Sequence, residues 1–176
     1  MRTRAIPCTP ADLAAVHVVW ASMQDDLDPD GTGSTVAVII VDHGSRRAES
    51  NQSLEQLVRA SADRLPYPIV EPAHMELAEP SIATAFDRCV AAGATTVAVA
   101  PYFLGPGNHW DRDIPALVEA AAVPHPGVHW LVAAPLGPDP QLLAVVHQRV
   151  AHCLAHVAGD AEECGTCVGT GRCTLR

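Results

Sequence analysis

The sequence lacks three features that would place it in common protein classes. Its longest apolar run covers residues 36–41, far short of the roughly 20 residues that a membrane helix needs. Basic residues are scarce, and the net charge of -9 argues against a nucleic-acid partner. Neither a Gly-x-Gly-x-x-Gly nor a Gly-x-x-x-x-Gly-Lys loop supports nucleotide binding. We therefore expect a soluble protein that binds neither membranes nor nucleic acids.

Length and composition favour one domain flanked by two short segments. A chain of 176 residues, 48% of them hydrophobic, can bury one good core, whereas two domains of half that size would each be marginal. Pro29, Gly31 and Gly33 stand among acidic residues, as in a linker. We expect residues 1–34 to form a flexible N-terminal segment, 35–158 the domain, and 159–176 a cysteine-rich tail. Two arginines within residues 1–4 are similar to part of a transit peptide.

Apolar periodicity predicts four strands that alternate with four helices. The β-branched run 36–41 is typical of a strand covered on both faces, and residues 69–75, 95–100 and 128–133 continue the series. Ser81, Asp113 and Asp139 are placed to cap the last three helices. This order predicts an α/β fold with a four-stranded, mostly parallel sheet and helices on both faces. In such folds ligands bind beyond the carboxyl ends of the strands.

Metal-binding residue types follow three of the predicted strands. His43 comes directly after the first strand, Glu76 follows the second, and His109 lies in the Gly- and Pro-rich loop after the third. Two imidazoles and one carboxylate with open positions form a common site for a labile divalent ion. Strand alternation leaves His74 as a packing residue or an alternative third ligand, and we favour Glu76.

Two other interpretations of His43 deserve comparison. It could be a structural imidazole in a tight turn made by Gly44, and for a single histidine the two interpretations are evenly balanced. A phosphohistidine nucleophile is the other alternative. Asp42 disfavours it, because a carboxylate beside the imidazole would repel an incoming phosphate. The second histidine on the same rim favours metal chemistry.

Four motifs around these residues resemble the small class II tetrapyrrole chelatases, most nearly their plant-type branch. They are Val-Asp-His-Gly-Ser-Arg-Arg at 41–47, Val-Glu-Pro-Ala-His-Met-Glu-Leu-Ala-Glu-Pro-Ser-Ile at 70–82, Pro-Tyr-Phe-Leu-Gly-Pro-Gly-Asn-His-Trp-Asp-Arg-Asp-Ile-Pro at 101–115, and Ala-Pro-Leu-Gly-Pro at 134–138. The resemblance covers about residues 36–175. It implies a homodimer of half-size subunits in the chloroplast stroma, which inserts ferrous iron into sirohydrochlorin to make sirohaem. Cobalt insertion is the near alternative, and a non-catalytic iron-sulfur regulator on the same fold is the alternative from another class.

The resemblance also implies roles for individual residues. The two histidines of the family fall on His43 and His109, and its acidic residue falls on Glu76. Metal insertion removes two pyrrole protons and strips water from the ion, so basic nitrogens can hold the metal and accept protons. A tetrapyrrole with several carboxylates needs paired donors, which arginine supplies. The residues expected to bind it are Arg46, Arg47 and Arg112, with Ser45 and Asn108 as further polar contacts.

The C-terminal tail concentrates cysteines. Cys164 and Cys167 form a Cys-x-x-Cys pair, and Cys173 follows among glycines, a pattern of metal or cluster loops. Cys153 would complete four ligands, although its helical phase also fits a buried core thiol. The plant-type resemblance implies a [2Fe-2S] cluster on these four thiols. A tetrahedral zinc site and disulfides are the alternatives, and His152 and His156 are interpreted as a solvated helix face.

Overall fold

A computed structural model describes residues 33–61 and 64–175. The chain divides into two compact units, of which the first ends at Gly137 and the second begins at Pro138. The predicted N-terminal segment lies outside the described residues, apart from its last two positions.

The first unit is a βαβ-type arrangement around one parallel sheet. Its strands run in the order β2-β1-β3-β4, and every pairing is parallel. This confirms the predicted α/β fold and the alternation of strands with helices. The elements are β1 (Val36–Asp42), α1 (Ala48–Ser61), β2 (Ile69–His74), α2 (Ile82–Ala91), β3 (Thr96–Pro101), a π-helical turn (His109–Asp113), α3 (Ile114–Ala122) and β4 (His129–Val132).

Side chains of alternating parity on β1 face two different layers. Ile39 and Val41 are fully buried in a core with Phe86 of α2 and Ile114 of α3. On the opposite parity, Ile40 lines a cavity together with Leu57 of α1. Full burial of each large apolar side chain stabilises the folded state by about 2 kcal/mol relative to leaving it exposed. Helices therefore cover both faces of the sheet, which leaves the carboxyl ends of the strands to carry the functional loops.

Two of the three predicted helix caps are confirmed. The Ser81 hydroxyl accepts a hydrogen bond from the Thr84 amide at 3.3 Å, and the Asp139 carboxylate accepts one from the Gln141 amide at 2.8 Å. The prediction for Asp113 is wrong. Its backbone is already helical, at φ -74 and ψ -47, and its side chain makes no cap hydrogen bond. Its carboxylate oxygens are instead occupied by neighbouring side chains.

The second unit consists of α4 (Pro140–Ala158) and the cysteine tail. Gly159 ends the helix in the left-handed conformation, at φ 87, as a C-terminal glycine commonly does. No described residue of α4 is buried. The predicted boundary at 158/159 stays a prediction, and α4 groups with the tail. None of the helices in the described part of the chain has the length and apolar character to cross a membrane.

Candidate metal site at the carboxyl edge of the sheet

Main-chain hydrogen bonds bring His43 and Glu76 together. The ladder between β1 and β2 continues past both strands, because the Met75 amide donates to the Asp42 carbonyl at 2.8 Å and the Glu76 amide donates to the His43 carbonyl at 3.1 Å. The two side chains then meet, with Nε2 of His43 2.9 Å from Oε1 of Glu76. The backbone thus sets one half of the site.

The turn after β1 requires a glycine. Gly44 has φ +83, a left-handed conformation that L side chains rarely adopt. A Cβ at this position would overlap the carbonyl oxygen of Glu76. The Gly44 amide donates to Oδ1 of Asp42 at 2.9 Å, and this hydrogen bond stabilises the turn. Gly44 therefore permits the close approach on which the His43–Glu76 pair depends.

His74 lies behind the site rather than in it. Its side chain is fully buried, and Nδ1 lies 2.6 Å from Oδ1 of Asp42. Its amide donates to the Pro80 carbonyl at 2.8 Å. Among the described residues, Nε2 of His74 has no hydrogen-bond partner. This placement makes His74 a brace for the strand ends and supports the preference for Glu76 as third ligand.

His109 completes the site from the next strand in the sheet. Its ring meets the ring of His43 edge-on, with centroids 5.3 Å apart, and the Phe103 centroid lies 6.1 Å away. The predicted convergence of the two imidazoles is confirmed. His109 begins the π-helical turn, and the indole N–H of Trp110 anchors that turn by donating to the Ala133 carbonyl at 2.9 Å.

A carboxylate holds the His109 ring from the other end of the turn. Nδ1 of His109 lies 2.9 Å from Oδ2 of Asp113. Arg112 donates through Nε to the other oxygen, Oδ1, at 3.0 Å. Hydrogen bonds from His109 and Arg112 lower the pKa of Asp113, so its carboxylate stays charged. The His109–Asp113 pair is not among the contacts predicted from the sequence, although the His-x-x-x-Asp spacing is a recognisable helical signal.

The other residues predicted to bind the substrate differ in exposure and in how many hydrogen bonds hold them. Arg46, Arg47 and Asn108 are exposed. Ser45 is held by Asn51, whose side chain accepts from the Ser45 amide at 2.9 Å and donates to the Ser45 carbonyl at 2.8 Å. Asn51 is not among the site residues predicted from the sequence, because it acts on the backbone of another residue. Arg112 is engaged by Asp113, which reduces its freedom to bind a ligand.

The imidazole pair lies on an open surface. Cavities of about 400 and 330 Å³ lie beside α1 and share Leu57 and Tyr102, but neither is lined by His43 or His109. Exposed apolar side chains belong to the same edge of the sheet. They include Leu77, Tyr102, Leu104 and Leu136. This edge of the sheet therefore combines exposed apolar side chains with two partly exposed imidazoles.

The second unit brings three of the four predicted cluster thiols together, and Cys164 is not part of this group. The sulfur atoms of Cys153, Cys167 and Cys173 lie within 4.8 Å of one another, and those of Cys153 and Cys173 are 3.7 Å apart. Cys164 is also a free thiol, and backbone N–H groups of Thr166 and Cys167 lower its pKa. Neighbouring thiols, first that of Cys167, raise the pKa of Cys173 to about 12.

Two histidines tie α4 to the tail within this unit. His152 Nε2 lies 3.1 Å from the Glu162 carbonyl oxygen, and His156 Nδ1 lies 2.9 Å from that of Ala161. The interpretation of both as part of a solvent-accessible helix face agrees with the structure in that neither is buried, and each ring also donates to a carbonyl of the segment that leads to Cys164.

Two known proteins are similar to this chain in sequence. The chain is 54% identical to the chloroplastic sirohydrochlorin ferrochelatase of Arabidopsis thaliana over 151 residues, which are 86% of this chain and 67% of that protein. It is 32% identical to the sirohydrochlorin ferrochelatase of Bacillus subtilis (strain 168) over 114 residues, 65% of this chain and 44% of that one. The chain thus spans less than half the length of this bacterial relative.

Two solved structures are similar to this chain in fold and in sequence. SirB from Bacillus subtilis with Fe3+ has a TM-score of 0.62 at 32% identity, covering 65% of this chain and 46% of that one. A CbiX protein from Marinobacter aquaeolei VT8 has a TM-score of 0.59 at 31% identity, covering 69% of this chain and 98% of that one. The sequence profile of the CbiX family matches residues 37–153, more than half of the chain, and the chain therefore belongs to the CbiX family.

Proposed function

We propose that the chain is a sirohydrochlorin ferrochelatase, which inserts ferrous iron into sirohydrochlorin to form sirohaem. The observation that carries the proposal is the pair of imidazoles, with ring centroids 5.3 Å apart and Glu76 2.9 Å from one of them. The name of the Arabidopsis relative, at 54% identity, supports the same reaction.

The donor set fits the chemistry of insertion. Iron entry releases two protons from pyrrole nitrogens, and water ligands leave the ion as ring nitrogens replace them. His43, Glu76 and His109 offer groups that can hold iron briefly and accept these protons. Three protein ligands leave positions open, whereas a closed set of four would retain the ion. The three residues therefore act jointly in metal delivery and proton acceptance.

Exposed arginines next to the site supply the charge that the substrate needs. Arg46 and Arg47 lie three and four residues after His43 and are exposed, so they are free to pair with peripheral carboxylates of the tetrapyrrole. Ser45 and Asn108 add polar contacts. Arg112 contributes less, since Asp113 already holds its Nε. The exposed apolar side chains of this edge then contact the faces of the ring.

Iron is preferred over cobalt in this proposal because of the relatives, since imidazole and carboxylate ligands bind both ions. The Methanococcus maripaludis relative, a sirohydrochlorin cobaltochelatase, is 40% identical but matches only 47% of this chain. Steady-state rates with each ion at equal free concentration test this choice. Faster cobalt insertion would overturn it.

The cysteine group fits an iron-sulfur cluster. Three sulfur atoms lie within 4.8 Å of one another, and soft thiolates are the ligands that such clusters use. We assign Cys153, Cys164, Cys167 and Cys173 to a [2Fe-2S] cluster, which supplies one-electron chemistry when bound. Anaerobically purified protein is then coloured and contains iron and sulfide. Colourless protein with stoichiometric zinc contradicts the assignment.

A homodimer in the chloroplast stroma completes the proposal. The chain covers 46% of the solved SirB chain from Bacillus subtilis, so a second copy would supply a surface of comparable extent to that of the longer protein. The open imidazole pair also needs a cover before it can exclude water from a macrocycle. Sedimentation of the full chain as a dimer supports this part, and a monomer at working concentration overturns it.

The central experiment is anaerobic incubation of the protein with ferrous iron and sirohydrochlorin, followed by absorbance of the metalated product. Catalysed formation of sirohaem supports the proposal. Lack of any metalation above the uncatalysed rate, in protein whose cluster is intact, would instead favour a non-catalytic iron-sulfur regulator on the same fold.

A further inference from the structure

The two imidazoles of the site differ in which ring nitrogen is occupied. His109 has Nδ1 2.9 Å from a carboxylate oxygen of Asp113, and no described residue bonds to its Nε2. His43 shows the opposite arrangement, because its Nε2 lies 2.9 Å from Glu76 while Nδ1 has only a long 3.3 Å contact with the Gly44 carbonyl. The site is therefore asymmetric before any ion enters.

Hydrogen bonding to one ring nitrogen determines what the other can do. A carboxylate accepts hydrogen bonds but donates none, so Nδ1 of a neutral His109 ring carries the proton. The lone pair then lies on Nε2, which is the form in which imidazole binds a metal. A carboxylate behind a ligating imidazole also fixes the ring orientation and raises its basicity.

The backbone holds Asp113 where this contact can persist. The residue ends the π-helical turn and precedes Ile114, which is fully buried and donates its amide to the His109 carbonyl. The Trp110 indole fixes the same turn by its bond to Ala133. Arg112 occupies the second carboxylate oxygen, at 3.0 Å, so that Oδ2 remains directed to His109.

We propose that Asp113 is a positioning residue, which holds His109 in the Nδ1–H tautomer so that Nε2 is the nitrogen presented to the entering iron. The proposal rests on the proposed function of the site. It assigns the first contact with the ion to His109, while the His43–Glu76 pair, in which Nε2 of His43 already contacts a carboxylate, shares in holding the metal and accepting protons. Asp113 itself touches neither ion nor macrocycle.

The test reads the tautomer directly in the full-length protein. Samples are labelled with 15N-histidine, and the imidazole nitrogens are observed by NMR without added metal, with His109→Gln used to assign the signals. Wild type is expected to show the Nδ1–H form at His109. Asp113→Ala should shift it to a mixture that contains the Nε2–H form, and Asp113→Asn should lie between the two.

Metal affinity and kinetics give independent readouts. Co2+ binding, followed by its visible spectrum, should weaken by about tenfold or more in Asp113→Ala, a typical loss when the partner of a metal-binding histidine is removed. The kcat for iron insertion should fall with little change in KM for sirohydrochlorin. Asp111→Asn is the matched control, since it removes an exposed carboxylate from the same turn and should behave like wild type in every assay.

The outcomes separate this inference from the proposed function. An Nδ1–H tautomer that persists in both Asp113 variants, or Co2+ affinity within twofold of wild type, overturns the positioning role even if the enzyme inserts iron. Loss of the tautomer in Asp113→Ala with unchanged circular dichroism supports it, even in a protein that fails to make sirohaem. Failure of the proposed function appears only in the wild-type insertion assay.

Discussion

The imidazole site and the cysteine group are built in opposite ways. His43, Glu76 and His109 are distant in sequence, and a parallel sheet with fully buried residues such as Ile39 brings them to one edge. The cysteines come from one helix and the tail that follows it, in a unit whose helix buries none of its residues. The buried core of the sheet positions the imidazole site, whereas local turns of the tail position the cysteine group.

This difference predicts how each site depends on its ligand. A site fixed by a core keeps its geometry when the ion leaves, as a catalyst that releases metal must. A group of thiols held by turns gains stability from the ion or cluster that it binds, because ligand binding contributes to folding. Ligand removal should therefore disturb the second unit and leave the sheet unchanged.

The largest expected effect follows from removing an imidazole. His109→Ala and His43→Ala should each lower the rate of iron insertion by about 100-fold, the scale of a lost acid-base or metal-binding group. Melting temperature should stay close to that of wild type, since both side chains are solvent-accessible. His147→Ala, an exposed histidine of α4, is the control. Wild-type rates in both site variants would contradict the assignment.

A smaller and more local effect is expected from Cys167→Ser. The variant should lose most of its iron and colour, and amide hydrogen exchange should accelerate within residues 140–175. Exchange in β1 and β3 should not change. Cys8→Ser, which changes a cysteine that is not among the four assigned to the cluster, is the control. Equal acceleration in both units would show that the cysteine group supports the sheet as well, and would remove the contrast between the two regions.

The smallest effect tests the turn that joins the core to the site. Gly44→Ala combines an unfavourable φ with overlap of the Glu76 carbonyl, whereas Gly93→Ala, at φ +94, has no atom within 4 Å of its new Cβ. Backbone strain of this kind costs of order 1–3 kcal/mol. Both variants share this cost, but only Gly44→Ala also places a Cβ against a backbone oxygen, so urea unfolding should show it to be less stable than Gly93→Ala by roughly 2 kcal/mol, as is typical of overpacking. Co2+ affinity should fall only in Gly44→Ala, and equal losses would exclude a special role for this turn.

The fold and the meeting of the imidazoles could be predicted because they depend on patterns along the whole chain. The β-branched run of β1 and the regular alternation of strands with helices left few topologies, and parallel strands bring their carboxyl ends to one edge. Residues that directly follow these strands, such as His43, are then neighbours whatever the details of packing.

The helix-cap prediction that failed concerns a carboxylate with several hydrogen-bond donors within reach. An aspartate before a Pro-containing helix has the same sequence signal whether it caps that helix or binds a histidine four residues earlier. Asp113 does the second, because His109 and Arg112 compete successfully for its oxygens. His74 is a packing residue, one of the two alternatives that strand alternation left open, although its contact with Asp42 depends on side-chain geometry that periodicity does not contain.

Main-chain hydrogen bonds that continue beyond β1 and β2 set the position of residue 76, whereas its side chain sets the chemical type of the ligand atom. A main-chain N–H, which all residues but proline have, fixes position 76 by donating to the His43 carbonyl, and the Glu76 carboxylate takes no part in that bond. In the proposed metal site, exchanging Glu76 for histidine or cysteine would change the hardness of the ligand atom while the backbone position stays in place. The proposal thus implies that a single substitution can alter ion selectivity without a change of fold.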